Sequence, residues 1–187
     1  MENAARVVEV VAHDPAWPDQ FEVERGLLAK SLPAALGIEH IGSTSVPGLA
    51  AKPIIDILAV VRDVSEVIAD HAALDRLGYV YRPLVFADDG EHLFFCKDTA
   101  GRRTHHLHVF GMMSPVPDEN RLFRDFIAAD TDAARRYEAA KMRAAELNPD
   151  SRARYGAAKD DAMAGLMAEA RLWGAAMRQA PKPATVA

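Results

Sequence analysis

Cysteine is nearly missing from this chain: Cys96 is the only one in 187 residues. One thiol excludes an intramolecular disulfide and any zinc cluster built on thiolates. Its setting, Leu93-Phe94-Phe95-Cys96, marks a core thiol rather than a reactive one. Long apolar runs are missing too, so no segment reads as a membrane span. The start, MENAARVVEV, has an early acid and no apolar stretch and does not read as a signal peptide. A cytoplasmic protein with no membrane partner is expected. Basic excess is the third absence. Lys and Arg number 22 against 27 Asp and Glu, a formal net charge of -5. Binding to nucleic acid usually needs a basic surface, so no nucleic-acid partner is expected.

What is present suits a folded domain. Half the residues are hydrophobic and 26% are charged, ordinary values for a globular protein. The length predicts a single domain over residues 1–180, with 181–187 as a flexible tail. Valines over Arg6 to Val11 predict a strand. Trp17, Phe21, Leu28 and Leu32 recur at helical spacing up to Pro33, with Asp14 placed to cap. Strands are predicted over Ile38–Ile41 and Ile54–Val61, the second almost wholly apolar as in a strand covered on both faces. Ser65 to Leu77 reads as one helix with Ser65 as N-cap. Tyr79 to Phe86 reads as an edge strand because Pro83 cannot donate to a ladder. Glu91–Lys97 and Arg103–Phe110 form a predicted β-hairpin joined through Asp98-Thr99-Ala100-Gly101. Beyond Pro117 the pattern is helical: Asp118–Ala129, a helix capped by Asp130-Thr131 to about Leu147, and a last one to about Gln179. On that last helix Tyr155, Met163, Leu166, Ala170, Trp173 and Met177 share a stripe expected to pack on the body.

Chemistry concentrates in His40 to Ile57, HIGSTSVPGLAAKPIIDI. A strand leads into a Gly-Ser turn, and a second strand carries one carboxylate, Asp56. Small turn residues let backbone N–H groups approach phosphate, and a strand acid can hold a divalent cation. This is how nucleotidyltransferase-fold sites begin. Ionised carboxylates are rarely buried unless paired or metal-bound, so Asp56 within IIDILAVV should face a cleft; a salt bridge to Lys52 or Arg103 is the other reading. A second acid two residues on would share the strand face and complete a two-metal pair. Leu58 stands there.

The strand Arg103-Thr104-His105-His106-Leu107-His108 offers other ligands. His106 and His108 are two apart and share one face, with Leu107 and Val109 on the other. With Asp56 they could form a mixed N/O metal site favouring Mn, Fe, Ni or Zn over Mg. A histidine acting as general base, or a structural histidine, is the alternative. Phosphate-binding candidates are Gly42, Ser43, Thr44, Lys52 and Arg103; His40 and Arg124 are secondary. The pairs Tyr137/Lys141 and Tyr155/Lys159 each share a helix face and could line a cleft or simply pack.

The pieces Asp14-Pro15-Ala16-Trp17 with Phe21, HIGSTSVPGLAAKPIIDI, HHLHVF, FRDFI at Phe123 to Ile127, Tyr137-x-x-x-Lys141, Tyr155-x-x-x-Lys159 and Trp173 together resemble the GrpB family, a largely uncharacterised branch of the nucleotidyltransferase superfamily. The resemblance implies an α+β, nucleotidyltransferase-like fold: a small mixed β-sheet flanked by helices, with a C-terminal helical portion closing the cleft. It implies a site of Gly42, Ser43, Asp56 and the His106/His108 strand. The expected activity is metal-dependent nucleotidyl transfer, catalysed by Asp56, His106 and His108, from a nucleoside triphosphate to a small acceptor. The expected cofactor is a divalent metal: Mg, Mn or Zn. The alternatives are a non-catalytic nucleotide- or metabolite-binding domain linked to coenzyme A metabolism, and a metal-dependent phosphohydrolase. A homodimer through the last helix is a further reading.

Overall fold

Five strands form one mixed sheet in the order β1-β2-β5-β4-β3. In this computed structural model, which describes residues 8–179, the elements in chain order are α1 (Trp17–Ser31), β1 (Gly37–Ile41), a single 3-10 turn (Ser43–Ser45), β2 (Ile55–Val61), α2 (Val64–Ala69), α3 (Ala72–Arg76), β3 (Tyr79–Tyr81), β4 (His92–Thr99), β5 (Arg102–Gly111), α4 (Val116–Ala129), α5 (Thr131–Leu147) and α6 (Arg152–Gln179). Strand β2 pairs antiparallel with β1 and parallel with β5. β4 pairs antiparallel with β5 and with β3. The α+β expectation holds: a mixed sheet flanked by helices, with helices completing the chain.

Period-two alternation divides the sheet into two faces. Ile55, Ile57, Ala59 and Val61 on β2 join Leu107 and Val109 on β5, and Leu93 and Phe95 on β4. With Trp17, Phe21 and Leu28 of α1, Val64 and Val67 of α2 and Leu74 of α3, they form the main core. The other face carries Asp56, His106 and His108. Beside them Leu58, Ile41 and Phe110 form a small apolar cluster closed by Val60 and Val116. The helical layer has its own core of Phe123, Phe126, Ile127, Tyr137, Leu166 and Ala170, which meets Val46 and Leu49 of the loop after the 3-10 turn.

Several boundaries differ from the sequence reading. The strand expected over Arg6–Val11 is reduced to one bridge, Val11 to Ala51; Arg6 and Val7 lie outside the described residues, as does the 181–187 tail. The helix expected over Ser65–Leu77 is two short ones. Asp63, not Ser65, caps the first by accepting from the Ser65 N–H, and Asp70 Oδ1 accepts from the Ala72 N–H at the start of the second. β3 stops at Tyr81, before Pro83, whose missing N–H cannot continue a ladder. The hairpin turn is only Ala100-Gly101, both at positive φ (50° and 76°), as a tight turn between right-twisted strands requires. Met177 does not pack with its stripe: it is 59% exposed. Asp130 caps α5 as expected, accepting from the Asp132 and Ala133 N–H groups.

Leu58 is fully buried, and only apolar side chains surround it in its cluster. Truncating it to alanine should cost about 2–5 kcal/mol, read as a lower urea midpoint at unchanged m. A loss below about 1 kcal/mol would mean that the cluster collapses around the gap and does not anchor β2.

Candidate functional site

Register brings the candidate ligands together. On the parallel β2–β5 pair Asp56 lies opposite His106 and Leu58 opposite His108. Paired residues share a face, so Asp56, His106 and His108 project to the same side, away from the main core. Each offers a ligand atom within 4.8 Å of the others. His106 Nδ1 lies 2.8 Å from Asp56 Oδ1. Its other nitrogen, Nε2, is 3.4 Å from Arg103 Nη1. A guanidinium has only donors, so Nε2 carries the lone pair and Nδ1–H donates to Asp56. Arg103 is itself held by Asp98. The chain Asp98–Arg103–His106–Asp56 therefore sets the tautomer of His106 and aims the carboxylate.

His108 is oriented by a residue that sequence reasoning missed. His92 Nε2 lies 2.9 Å from His108 Nδ1, leaving His108 Nε2 for the Asp56 side. A ligating histidine whose other nitrogen is hydrogen-bonded is the usual arrangement at metal sites. Phe94, opposite His108 on β4, packs its ring 4.8 Å from the His108 ring.

The Gly42 turn closes over this group. Gly42 has φ 71°, and a Cβ there would lie 2.6 Å from Asp56 Oδ2. Both backbone conformation and proximity demand glycine. Ser43 Oγ donates to the Tyr137 hydroxyl at 3.4 Å, tying the turn to α5. Thr44 and His40 sit elsewhere. Thr44 Oγ1 donates to the Ile54 carbonyl at 3.3 Å and lies 3.0 Å from His40 Nε2, so His40 Nε2–H is the donor to it. The His40 ring stacks on Phe21 of α1 at 4.8 Å. Both brace the turn from the main-core side. Arg124 bonds Glu39, Asp125 and the His40 carbonyl, which holds α4 to β1.

Helices α5 and α6 supply the opposite wall. Lys52 Nζ lies 4.5 Å over the Tyr155 ring, and Lys141 Nζ 4.5 Å over the Tyr137 ring. Lys141 also donates to the Ala50 carbonyl. The two Tyr-x-x-x-Lys pairs thus meet beside the Gly-Ser turn.

Electrostatics follow from this packing. Burial pushes the Asp56 carboxyl up, but the His106 hydrogen bond and the nearby His106, His108 and Lys159 outweigh it and bring it to about 2. Asp56 is therefore ionised throughout the neutral range. Burial lowers His108 to about 3 against the pull of Asp56, and His92 to about 4. Neutral imidazole is the form that binds metal. Burial also lowers Lys141 to about 7, with Lys159 adding and Glu138 opposing. The arrangement can hold one cation between a carboxylate and an imidazole, with lysines alongside to neutralise an anion.

The sequence model described as GrpB protein matches residues 7–169. UPF0157 protein PA4798 of Pseudomonas aeruginosa is 38% identical over 171 residues, covering 87% of this chain and 67% of that protein. UPF0157 protein YqkA of Bacillus subtilis is 32% identical over 171 residues, 90% of this chain but 48% of YqkA; the chain spans about half the length of that relative. The crystal structure of conserved protein GrpB from Enterococcus faecalis is similar with a TM-score of 0.80 and 32% identity, covering 88% of this chain and 99% of that one. Among the described residues no helix is long and apolar enough to cross a membrane.

Three histidines lowered by burial should make stability pH-dependent. His40 is lowered to about 4, chiefly by burial, alongside His92 at about 4 and His108 at about 3; the unfolded chain returns them to about 6.5. Between these values the unfolded chain binds more protons. The stability is present above pH 6.5 and is lost as pH falls towards 4. With three rings titrating, the steepest slope approaches about 4 kcal/mol per pH unit. Urea midpoints should fall steadily from pH 7 to pH 4.5; a flat profile would contradict neutral buried rings.

Proposed function

We propose that this chain, which belongs to the GrpB family, is a metal-dependent nucleotidyltransferase acting on a nucleoside triphosphate and a small acceptor. The observation that carries the reading is the meeting of Asp56, His106 and His108 within 4.8 Å, under a Gly42-Ser43 turn whose glycine lies against the carboxylate. Asp56 and His108 would hold a divalent cation, with His106 orienting Asp56 and His92 orienting His108. The N/O donor set favours Mn or Zn over Mg. When bound, the cation supplies charge neutralisation to the reacting phosphoryl group.

The remaining residues act by position and charge. Gly42 and Ser43 let the main chain approach the phosphates. Lys52 and Lys159 add positive charge at the rim. Arg103 and Arg124 act through the neighbours they hold, the first through His106 and the second through the β1 edge. Because Leu58 leaves β2 with a single carboxylate, and Glu39 of β1 is held by Arg121 and Arg124, the reading is of one cation rather than a pair.

The test is a thermal-shift titration with ATP, GTP, CTP and UTP, each with Mn, Mg or Zn, on wild type and Asp56→Asn. At about a hundred times Kd the expected stabilisation is about 2.7 kcal/mol, or about 5–10 °C for a chain of this size. The shift should require metal, favour one nucleotide, and vanish in Asp56→Asn. If no nucleotide shifts the folded wild type with any of the metals, nucleotidyl transfer is wrong. Phosphate release without an acceptor would mark a hydrolase instead.

A further inference from the structure

An aromatic ledge continues from the histidines across β4. The Phe86 ring stacks on His92 with centroids 4.3 Å apart and 25° between planes. It meets Phe94 edge-on at 5.5 Å and lies 5.9 Å from the His108 ring. His92 stacks in turn on Phe110 at 4.1 Å. Phe86 has φ 59°, a left-handed conformation that bulky residues avoid. Hydrogen bonds from Val85 N to the Arg82 carbonyl and from Asp89 N to the Phe86 carbonyl fasten its loop. The strain does not bury the ring: Phe86 remains 44% exposed, and Leu84 beside it 90%. The packed face braces the ring, and the open face offers a ligand an apolar surface next to the proposed cation-binding residues.

We infer that the open face of Phe86, its ring backed by the buried His92 and Phe94, forms a stacking subsite for a planar heteroaromatic ring of the nucleobase class, carried by a substrate whose reacting group lies at Asp56 and His108. A flat π-face held by packing suits such a ring and tolerates different bases. The inference rests on the proposed triphosphate reading only for its orientation. The Gly42-Ser43 turn follows β1, and the sheet order β1-β2-β5-β4 puts it on one side of Asp56 and His108, with the ledge on the other. Attacking and leaving oxygens lie roughly in line across a transferred phosphoryl group. Phosphates anchored at the turn therefore leave the ledge facing the acceptor, whose ring is the favoured occupant. The base of the triphosphate is the other source of the same chemistry.

The experiment is a calorimetric titration of wild type, Phe86→Ala and Phe86→Tyr with adenosine, guanosine, cytidine and uridine. Inorganic tripolyphosphate with Mn and ATP with Mn are titrated in parallel. At least one nucleoside should bind wild type. Phe86→Ala should weaken it about 5- to 100-fold, Phe86→Tyr should restore it, and tripolyphosphate affinity should stay within about twofold as a control on folding. An acceptor ring is assigned if Phe86→Ala leaves ATP affinity unchanged while nucleoside binding to the ATP-saturated protein is lost; a base is assigned if ATP itself weakens. If wild type binds none of the nucleosides, or Phe86→Ala binds them as well as wild type, the subsite is wrong. Phe86-dependent nucleoside binding without any tripolyphosphate binding supports the subsite and overturns the triphosphate reading.

Discussion

One ionised carboxylate on an apolar central strand organises this protein. Asp56 sits between Ile55 and Ile57, both in the main core, and burial alone would push it towards its neutral form. Its neighbours reverse that. His106 donates to Oδ1 because Arg103 occupies its other nitrogen, and Arg103 is fixed by Asp98. The opposite oxygen faces a residue that must lack a Cβ. The turn, hairpin and arginine are all constrained by the need to keep one negative charge stable at a sheet face.

Much of this was legible from strand periodicity. Alternation placed His106 and His108 on one face and Leu107 on the other, and the apolar run around Asp56 announced a carboxylate in an unusual setting. The same rule, applied to His40, removes it from the site: it pairs with Ile57, a residue of the main core. What alternation could not give was the face of β4. From the Ala100-Gly101 turn, Thr99 faces Arg102 and Asp98 faces Arg103, but Lys97 faces His105. The extra residue is Thr104. Without that irregularity Leu93 would face His108, and His92 and Phe94 would turn into the core. A one-residue slip reverses every side chain, and no turn signal in the sequence marks where it happens. The helical wall was hidden differently. One-turn spacing shows that Tyr137 and Lys141 share a face, but not what that face meets.

The two faces handle charge in different ways. Under the helices, Glu24 of α1 is buried with Lys97 of β4 at 2.8 and 2.9 Å, and His105 Nε2 lies 3.9 Å from the same carboxylate. The Glu24 carboxylate and the Lys97 ammonium neutralise each other. On the opposite face the charges do not cancel within the sheet. Asp56 has histidines for neighbours: burial keeps His108 neutral at ordinary pH, and His106 donates to the carboxylate. The lysines come from the loop before β2 and from two separate helices. Only the second face therefore keeps a charge pattern that a ligand could complete.

Leu58 decides how such a ligand would be met. It occupies the strand position where a second carboxylate would point at the same cation site, yet it is locked into the apolar cluster with Ile41 and Phe110. A carboxylate there would lie within that cluster and next to Asp56, where like charges disfavour joint ionisation. With one acid, the proposed chemistry has one cation and must find its remaining positive charge elsewhere. Lys52 and Lys159 are the candidate sources, with Lys141 buried nearby, and they differ from a second metal in kind. All three stand on the loop, α5 and α6, so their approach depends on the packing of the helical layer against the turn through Val46, Leu49 and Tyr137. Lys141 is buried with its Nζ on the Ala50 carbonyl, and that burial lowers it to about 7. The helical layer is therefore part of the proposed site rather than a cover over it.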